Sequence, residues 1–193
     1  RVHARAVRGR ESRMKAHVVE EHSSVLPLWW QLGVQPRTVI YLDAHLDLQH
    51  LGDERIARLR QCACVEELRA LEKPHPLHPG SEYAYGLEDW LFPAHRLGLI
   101  ERLIWVMPPH VGRDAQAHAL AQLQQMDGVT LPDLQSFHRV GDRGGEGWIE
   151  GRLFGMAISL CGFEQLASMP LPRHCVIDID VDYFITVPGD APW

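Results

Sequence analysis

Three apolar stretches of the chain run into ionisable residues. "VVEEH" closes on His22, "VIYLDAHLD" carries Asp43, His45 and Asp47, and "VIDIDVD" carries Asp178, Asp180 and Asp182. Alternate residues of an extended chain point to one side, so each acidic triplet can present its side chains together. A single acid at a strand end is commonly a helix cap or a solvated loop residue. As a set, acids inside two strongly apolar segments are not explained by packing, because Asp is disfavoured in strands and seldom buried. Carboxylates gathered in a partly dry crevice repel one another unless positive charge is supplied. Few Lys or Arg lie nearby in sequence, which leaves divalent cations as the source. Mostly carboxylate oxygen with one or two imidazoles suits a hard, octahedral ion such as manganese. Two such ions sharing carboxylates would lower the pKa of a common water and furnish a hydroxide nucleophile at neutral pH.

The elements that must position these residues follow from the hydrophobic pattern. "MKAHVVEEH" reads as a short buried strand, followed by a helix through Val25, Leu26, Leu28, Trp29 and Leu32 that Gly33 ends. The unbroken run Val39 to Leu42 suits a strand covered on both faces. Ile56, Leu59, Ala63, Leu68 and Leu71 lie near helical spacing between Asp53 and Leu71. "RLIWVMPP" predicts a further buried strand, and Asp114 then caps a helix bearing Leu120, Leu123 and Met126. A brief strand at "VTL" within a long loop, a strand or hairpin over "WIEGRLFGMAISL" and a short helix around Phe163 to Ala167 lead into the last strand, "HCVIDIDVDYF". The whole predicts an α/β fold with a mainly parallel sheet, in which ligands gather beyond the carboxyl ends of the strands.

With 193 residues and 46% hydrophobic content the chain supports one substantial core. A single domain over residues 14–193 is expected, preceded by Arg1 to Arg13 as a loose arm or upstream sequence. The net charge of -6, from 25 acids against 19 Lys plus Arg, argues against nucleic acid as a partner. No window approaches the roughly 18 to 20 apolar residues of a spanning helix, so no membrane partner and a cytoplasmic location are expected. Cys62, Cys64, Cys161 and Cys175 lack the paired spacing of a zinc site and read as buried free thiols.

The assembled residues resemble the ureohydrolase pattern of arginases and agmatinases: an early histidine, then Asp-x-His-x-Asp, then a distant Asp-x-Asp. The combination "VVEEH", "YLDAHLDL", "WVMPP" and "DIDVDYF" is most similar, within that superfamily, to the peptide arginases, over Met14 to about Phe184. The resemblance implies a three-layer α/β/α fold, two Mn2+ ions, and hydrolysis of arginine residues in a peptide to ornithine and urea. By the same resemblance one ion takes His22, Asp43, Asp47 and Asp178, and the other His45, Asp43, Asp178 and Asp180. Asp43 and Asp178 would bridge them, and Asp47 would also orient the attacking hydroxide.

The motif runs on to Asp182-Tyr183 where free-arginine enzymes have a later Asp-Pro, so an Asp180 and Asp182 pairing is the alternative register. Asp182 otherwise suits a substrate contact. Free-arginine enzymes also place a guanidinium-binding acid beyond this motif, so either the relatives are shorter or this chain lacks a tail. Glu20, Glu21 and Glu88 are candidates for holding the guanidinium, and His110 is a proton-shuttle candidate by location alone. Free arginine or agmatine is an alternative substrate. A single-zinc acyl deacetylase on the same fold and a non-catalytic, metal-stabilised binding module are alternative functions. Retention of both Asp47 and Asp180 favours two ions over one.

Overall fold

A computed structural model describes residues 15–75, 78, 80, 82–109, 115–141 and 147–184. Strand β1 (Arg37–Leu42) lies inside the sheet because four consecutive apolar residues are buried, Val39 and Tyr41 on one face, Ile40 and Leu42 on the other. β2 (Ile100–Met107) and the short β6 (Val176–Ile179) flank it, both parallel. β5 (Met156–Gly162) pairs parallel with β2, then β4 (Trp148–Leu153) and β3 (His138–Val140) continue antiparallel. The strand order is β3-β4-β5-β2-β1-β6.

The sheet is therefore mixed, and the expectation of a mainly parallel sheet is corrected. The cause is the connection between β4 and β5: Phe154 and Gly155, with φ of 52° and 88°, make a two-residue turn. Such a turn joins antiparallel neighbours only, since a parallel crossover needs about a dozen residues.

Among the described residues, helical cover of the two faces is unequal. The helices are α1 (Val25–Leu32), α2 (Asp53–Gln61), α3 (Val65–Ala70), α4 (Leu91–Arg96), α5 (Ala115–Gln125) and α6 (Leu131–Gln135). Leu26, Trp29, Ile56, Leu59, Leu68, Phe92 and Leu123 from these helices join Val39, Tyr41, Leu103 and Trp105 in the larger core. Leu134 of α6 packs against the same core. On the opposite face, among the described residues, α7 (Phe163–Leu166) and its surroundings supply Leu166, Met169, Cys175 and Tyr183. Those cover Ile40, Leu42, Ile104 and Val106 but leave Ile177 and Ile179, which neighbour Ile40 and Leu42 in register, 55% and 51% exposed.

Several sequence expectations change locally. Residues 15–21 form no strand. The helix expected from Asp53 to Leu71 is two, because Cys62 is extended and Glu67 accepts the Ala63 N–H at 2.7 Å. "VTL" is not a strand: Thr130 caps α6, Asp133 reciprocates, and a proline occupies the first turn. A complete capping box with a pre-organised first turn outweighs so short an apolar run. The expected Asp114 cap of α5 lies outside the described residues. No helix among the described residues is long and apolar enough to cross a membrane.

The β4–β5 turn is where the mixed topology is decided, and Gly155 sits there at φ 88°. Gly155→Val places a β-branched residue in left-handed backbone, which costs an L-residue about 1 to 2 kcal/mol. Urea denaturation should show destabilisation of that order. An unchanged midpoint would mean that the turn relaxes without strain.

Candidate metal centre

Leu42 and Ile179 are partners in the β1–β6 register, so Asp43 and Asp180 leave the sheet side by side at its carboxyl edge. The Asp180 N–H donates to the Leu42 carbonyl at 2.9 Å, prolonging that pairing by one step. Beyond β1 the chain turns at once, because the Asp43 carboxylate accepts the His45 N–H at 2.8 Å. Asp side chains commonly close turns in this way. Trp105 Nε1 donates to the Asp43 carbonyl at 3.0 Å and Gln122 Nε2 to the Ala44 carbonyl at 3.2 Å, so β2 and α5 hold the loop.

Beyond β6 a 3-10 turn (Val181–Phe184) follows, opened by the Asp182 N–H donating to Asp180 Oδ1 at 3.0 Å. It folds Asp182 back onto the other loop, 3.2 Å from the Ala44 N–H and 2.8 Å from His45 Nδ1. His22 opens a 3-10 turn of its own (His22–Ser24). Ser23 and Ser24 each donate a hydroxyl to Glu72 Oε1, at 2.7 and 2.8 Å, which ties that turn to the chain just after α3. The imidazole stacks on Tyr41 with centroids 5.4 Å apart and an 11° tilt, and Trp90 packs against it at 5.1 Å, tilted by 49° and on a flank next to Tyr41.

The His22 ring meets carboxylates on both edges. Nδ1 faces Asp180 at 3.1 Å, Asp47 at 3.2 Å and Asp43 at 3.3 Å, whereas Nε2 meets Asp178 Oδ1 at 3.0 Å. Asp47 Oδ2 also accepts Tyr41 Oη–H at 3.0 Å and Trp90 Nε1–H at 3.2 Å. Two sets of donor atoms lie within 4.8 Å of one another: His22, Asp43 and Asp180 form one, and Asp43, His45 and Asp182 the other. Asp43 belongs to both.

Of the residues expected at the site, His22, Asp43, His45, Asp47 and Asp180 converge as donors. Asp178 is also adjacent, but on the Nε2 edge of His22, away from the atoms that face Asp43 and Asp180. The two donor sets thus include Asp180 and Asp182, the alternative register, and leave Asp178, expected beside Asp180 as a distal ligand, on the other edge of His22. The physical reason is that β6 stops at Ile179. Side-chain alternation holds up to Asp178, which sits on the buried face beside Tyr41, while the turn rather than the strand aims Asp182. Asp182 lies against His45.

Glu20 and Glu21 are exposed and Glu88 half-buried. Glu88 lines a separate cavity of about 380 Å³, together with Arg55, Lys73, Tyr83 and Asp89. His110 and residues 1–14 lie outside the described residues. The sequence reading passed over Tyr41, Trp90, Trp105 and Glu72. Tyr41 and Trp105 sat inside apolar runs and read as core, and only their polar atoms betray the second duty.

Burial raises the carboxyl pKa values of Asp43 and Asp47, with His22 pulling the other way. Burial alone would lower the His22 pKa, but its contacts with Asp178, Asp180, Asp43 and Asp47 outweigh that and raise it. The hydrogen bond to Asp182 raises His45, and His22 lowers Asp180.

A divalent ion fits the donor set. His22 Nδ1 and Asp43 Oδ2 are buried without a hydrogen bond although they lie 3.3 Å apart. Adjacent ligands on an ion with bonds of about 2.1 Å are separated by about 3 Å, close to the Nδ1-to-oxygen spacings. The donors are carboxylate oxygens and imidazole nitrogens, as a hard ion prefers. No family model, curated protein or solved structure matches the chain.

Asp89 is buried outside the donor set, from which only the charge of Asp47 adds, least of the causes, to its titration. Burial pushes its carboxyl up from 3.8 to about 7, the Gly86 N–H opposing the shift. A raised acid pKa means that the folded state binds more protons than the unfolded state, so the associated stability is full below about pH 4 and is lost as pH rises through about 7. In metal-free protein, Asp89→Asn should therefore flatten the decline in urea midpoint between pH 4 and 7 and gain on the wild type at pH 7. A variant curve parallel to the wild type would contradict the assignment.

Proposed function

We propose that this chain is a dinuclear metallohydrolase, preferring manganese, that cleaves the guanidinium of arginine residues in peptides to give ornithine and urea on an arginase-like fold. The observation that carries the reading is the pair of donor sets sharing Asp43 at the carboxyl edge of β1 and β6. His22 Nδ1, Asp43, Asp47 and Asp180 would hold one ion, and Asp43, His45 and Asp182 the other. When bound, the pair supplies Lewis acidity and a hydroxide nucleophile near neutral pH.

The protein's own contribution is placement. Tyr41 and Trp90 fix the Asp47 carboxylate from behind with two neutral donors. His22, Asp43 and Asp47 form a closed wall, whereas the side chains of Asp180 and Asp182 are 29% and 28% exposed. Substrate therefore approaches from the Asp180 and Asp182 side, where net negative charge attracts a guanidinium cation. Orientation of the reacting carbon against a fixed carboxylate frame is a major part of such catalysis.

Metal analysis of protein reconstituted with manganese should return two ions per chain. Arginine peptides incubated with it should release urea and carry ornithine, faster than free arginine or agmatine is consumed. Asp180→Asn should lower turnover by more than about 100-fold, since loss even of outer-shell partners costs about 10- to 100-fold. Two bound ions with no urea from any of the three substrates would sink the assignment while leaving the metal site standing.

A further inference from the structure

We propose that Asp178 is a positioning residue: it accepts the Nε2 proton of His22 and so holds the imidazole in the tautomer whose Nδ1 is free for a cation. This deepens the dinuclear reading and rests on it. An imidazole that ligates through one nitrogen must carry its proton on the other, and a hydrogen-bond acceptor there decides which nitrogen is which. His22 shows that division of its two edges. Nε2 has Asp178 Oδ1 at 3.0 Å, and Nδ1 has oxygens of Asp43, Asp47 and Asp180 within 3.1 to 3.3 Å.

Four further observations make the contact a device rather than a coincidence. Asp178 is buried, on a strand, in an apolar run, where a carboxylate is retained only with a partner. Its Oδ1 meets His22, and its other oxygen, Oδ2, is buried without a hydrogen bond. The ring cannot turn to exchange its edges freely, because Tyr41 stacks on one face and Trp90 packs at 5.1 Å. Pairing of Asp178 with Tyr41 across β1 and β6 places the carboxylate and the stacking ring on the same side of the sheet. One register thus sets both the plane of the imidazole and its proton.

The assignment separates two roles that the motif leaves indistinguishable. A ligand's removal lowers the number of ions held, whereas an outer partner's removal lowers affinity, commonly by about 10- to 100-fold, at unchanged stoichiometry. Manganese titration by calorimetry, with electron paramagnetic resonance of the spin-coupled pair, reads both without turnover. Wild type should hold two ions. Asp178→Asn keeps an acceptor oxygen of the same shape and should bind two ions within about tenfold of wild-type affinity. Asp178→Ala should still reach two ions at saturation, with the weaker site a further tenfold or more down. Asp180→Asn, the comparison, should fall short of two at any concentration.

A stoichiometry below two for Asp178→Asn would make Asp178 a ligand and overturn the proposal. Equal affinities for the wild type and Asp178→Ala would overturn it as well. A wild type that holds fewer than two ions would instead bring down the dinuclear reading and this inference with it.

Discussion

Five aspartates crowd against two imidazoles where β1 and β6 end, and the structure around them is arranged about that density of negative charge. Two carboxylates about 4 Å apart repel by about 4 kcal/mol at the effective dielectric of a partly buried site. Neutral groups surround the cluster: the Tyr41 hydroxyl and Trp90 indole on Asp47, and the backbone N–H groups of His45, Ala44 and Asp182 on Asp43, Asp182 and Asp180. Neutral donors orient a carboxylate and leave its charge in place. Such a shell is suited to a site whose counter-charge arrives as an ion, since a cationic side chain in contact would compete for the same oxygens. The raised pKa of His22 fits this, the imidazolium serving as a stand-in cation when protons are all that is offered.

The same charge explains the division of the site into a rigid wall and an open rim. His22, Asp43 and Asp47 back onto Tyr41, Trp90 and Trp29, rings that are almost wholly buried in the larger core. Interiors packed in this way have low compressibility and hold side chains near rotamer minima. His45, Asp180 and Asp182 sit on turns at the surface, part-exposed to solvent. The unequal helical cover of the sheet has the same sense: the thickly covered face carries the histidine, the tyrosine and the indoles.

How far the chain could be read before folding depended on whether local pattern or tertiary contact decided each element. β1 and β2 were legible because Val39 to Leu42 and Leu103 to Met107 are buried runs without competing signals. Asp43, His45 and Asp47 were legible as a group from residue type alone. The distal register was not. The extended-chain rule made Asp178, Asp180 and Asp182 equivalent, and the rule lapses at Ile179, where a turn begins that no apolar period announces. His22 was found by type, yet it opens a turn and does not end a strand. Its place is fixed by Glu72, fifty residues on, a contact that no window of sequence contains. The antiparallel extension was half visible, as a hairpin over Trp148 to Leu160, but its attachment to β2 is a long-range choice.

β6 is slight for a strand that leads into Asp180 and Asp182, being four residues long, at the sheet edge, with Ile177 and Ile179 exposed. The hydrogen bonds at its end resolve this. Asp180 N–H binds the Leu42 carbonyl, Asp182 N–H binds the Asp180 carboxylate, and Ala44 N–H binds the Asp182 carboxylate. These links join the loop after β1 to the turn after β6, the first by extending the ladder one step and the other two through side chains. Fraying of the outer strand would therefore disturb Ile177 before it disturbed the donors. The relative placement of Asp43, Asp180 and Asp182 is set by the last step of the β1–β6 ladder together with side-chain-to-backbone bonds that join the two loops.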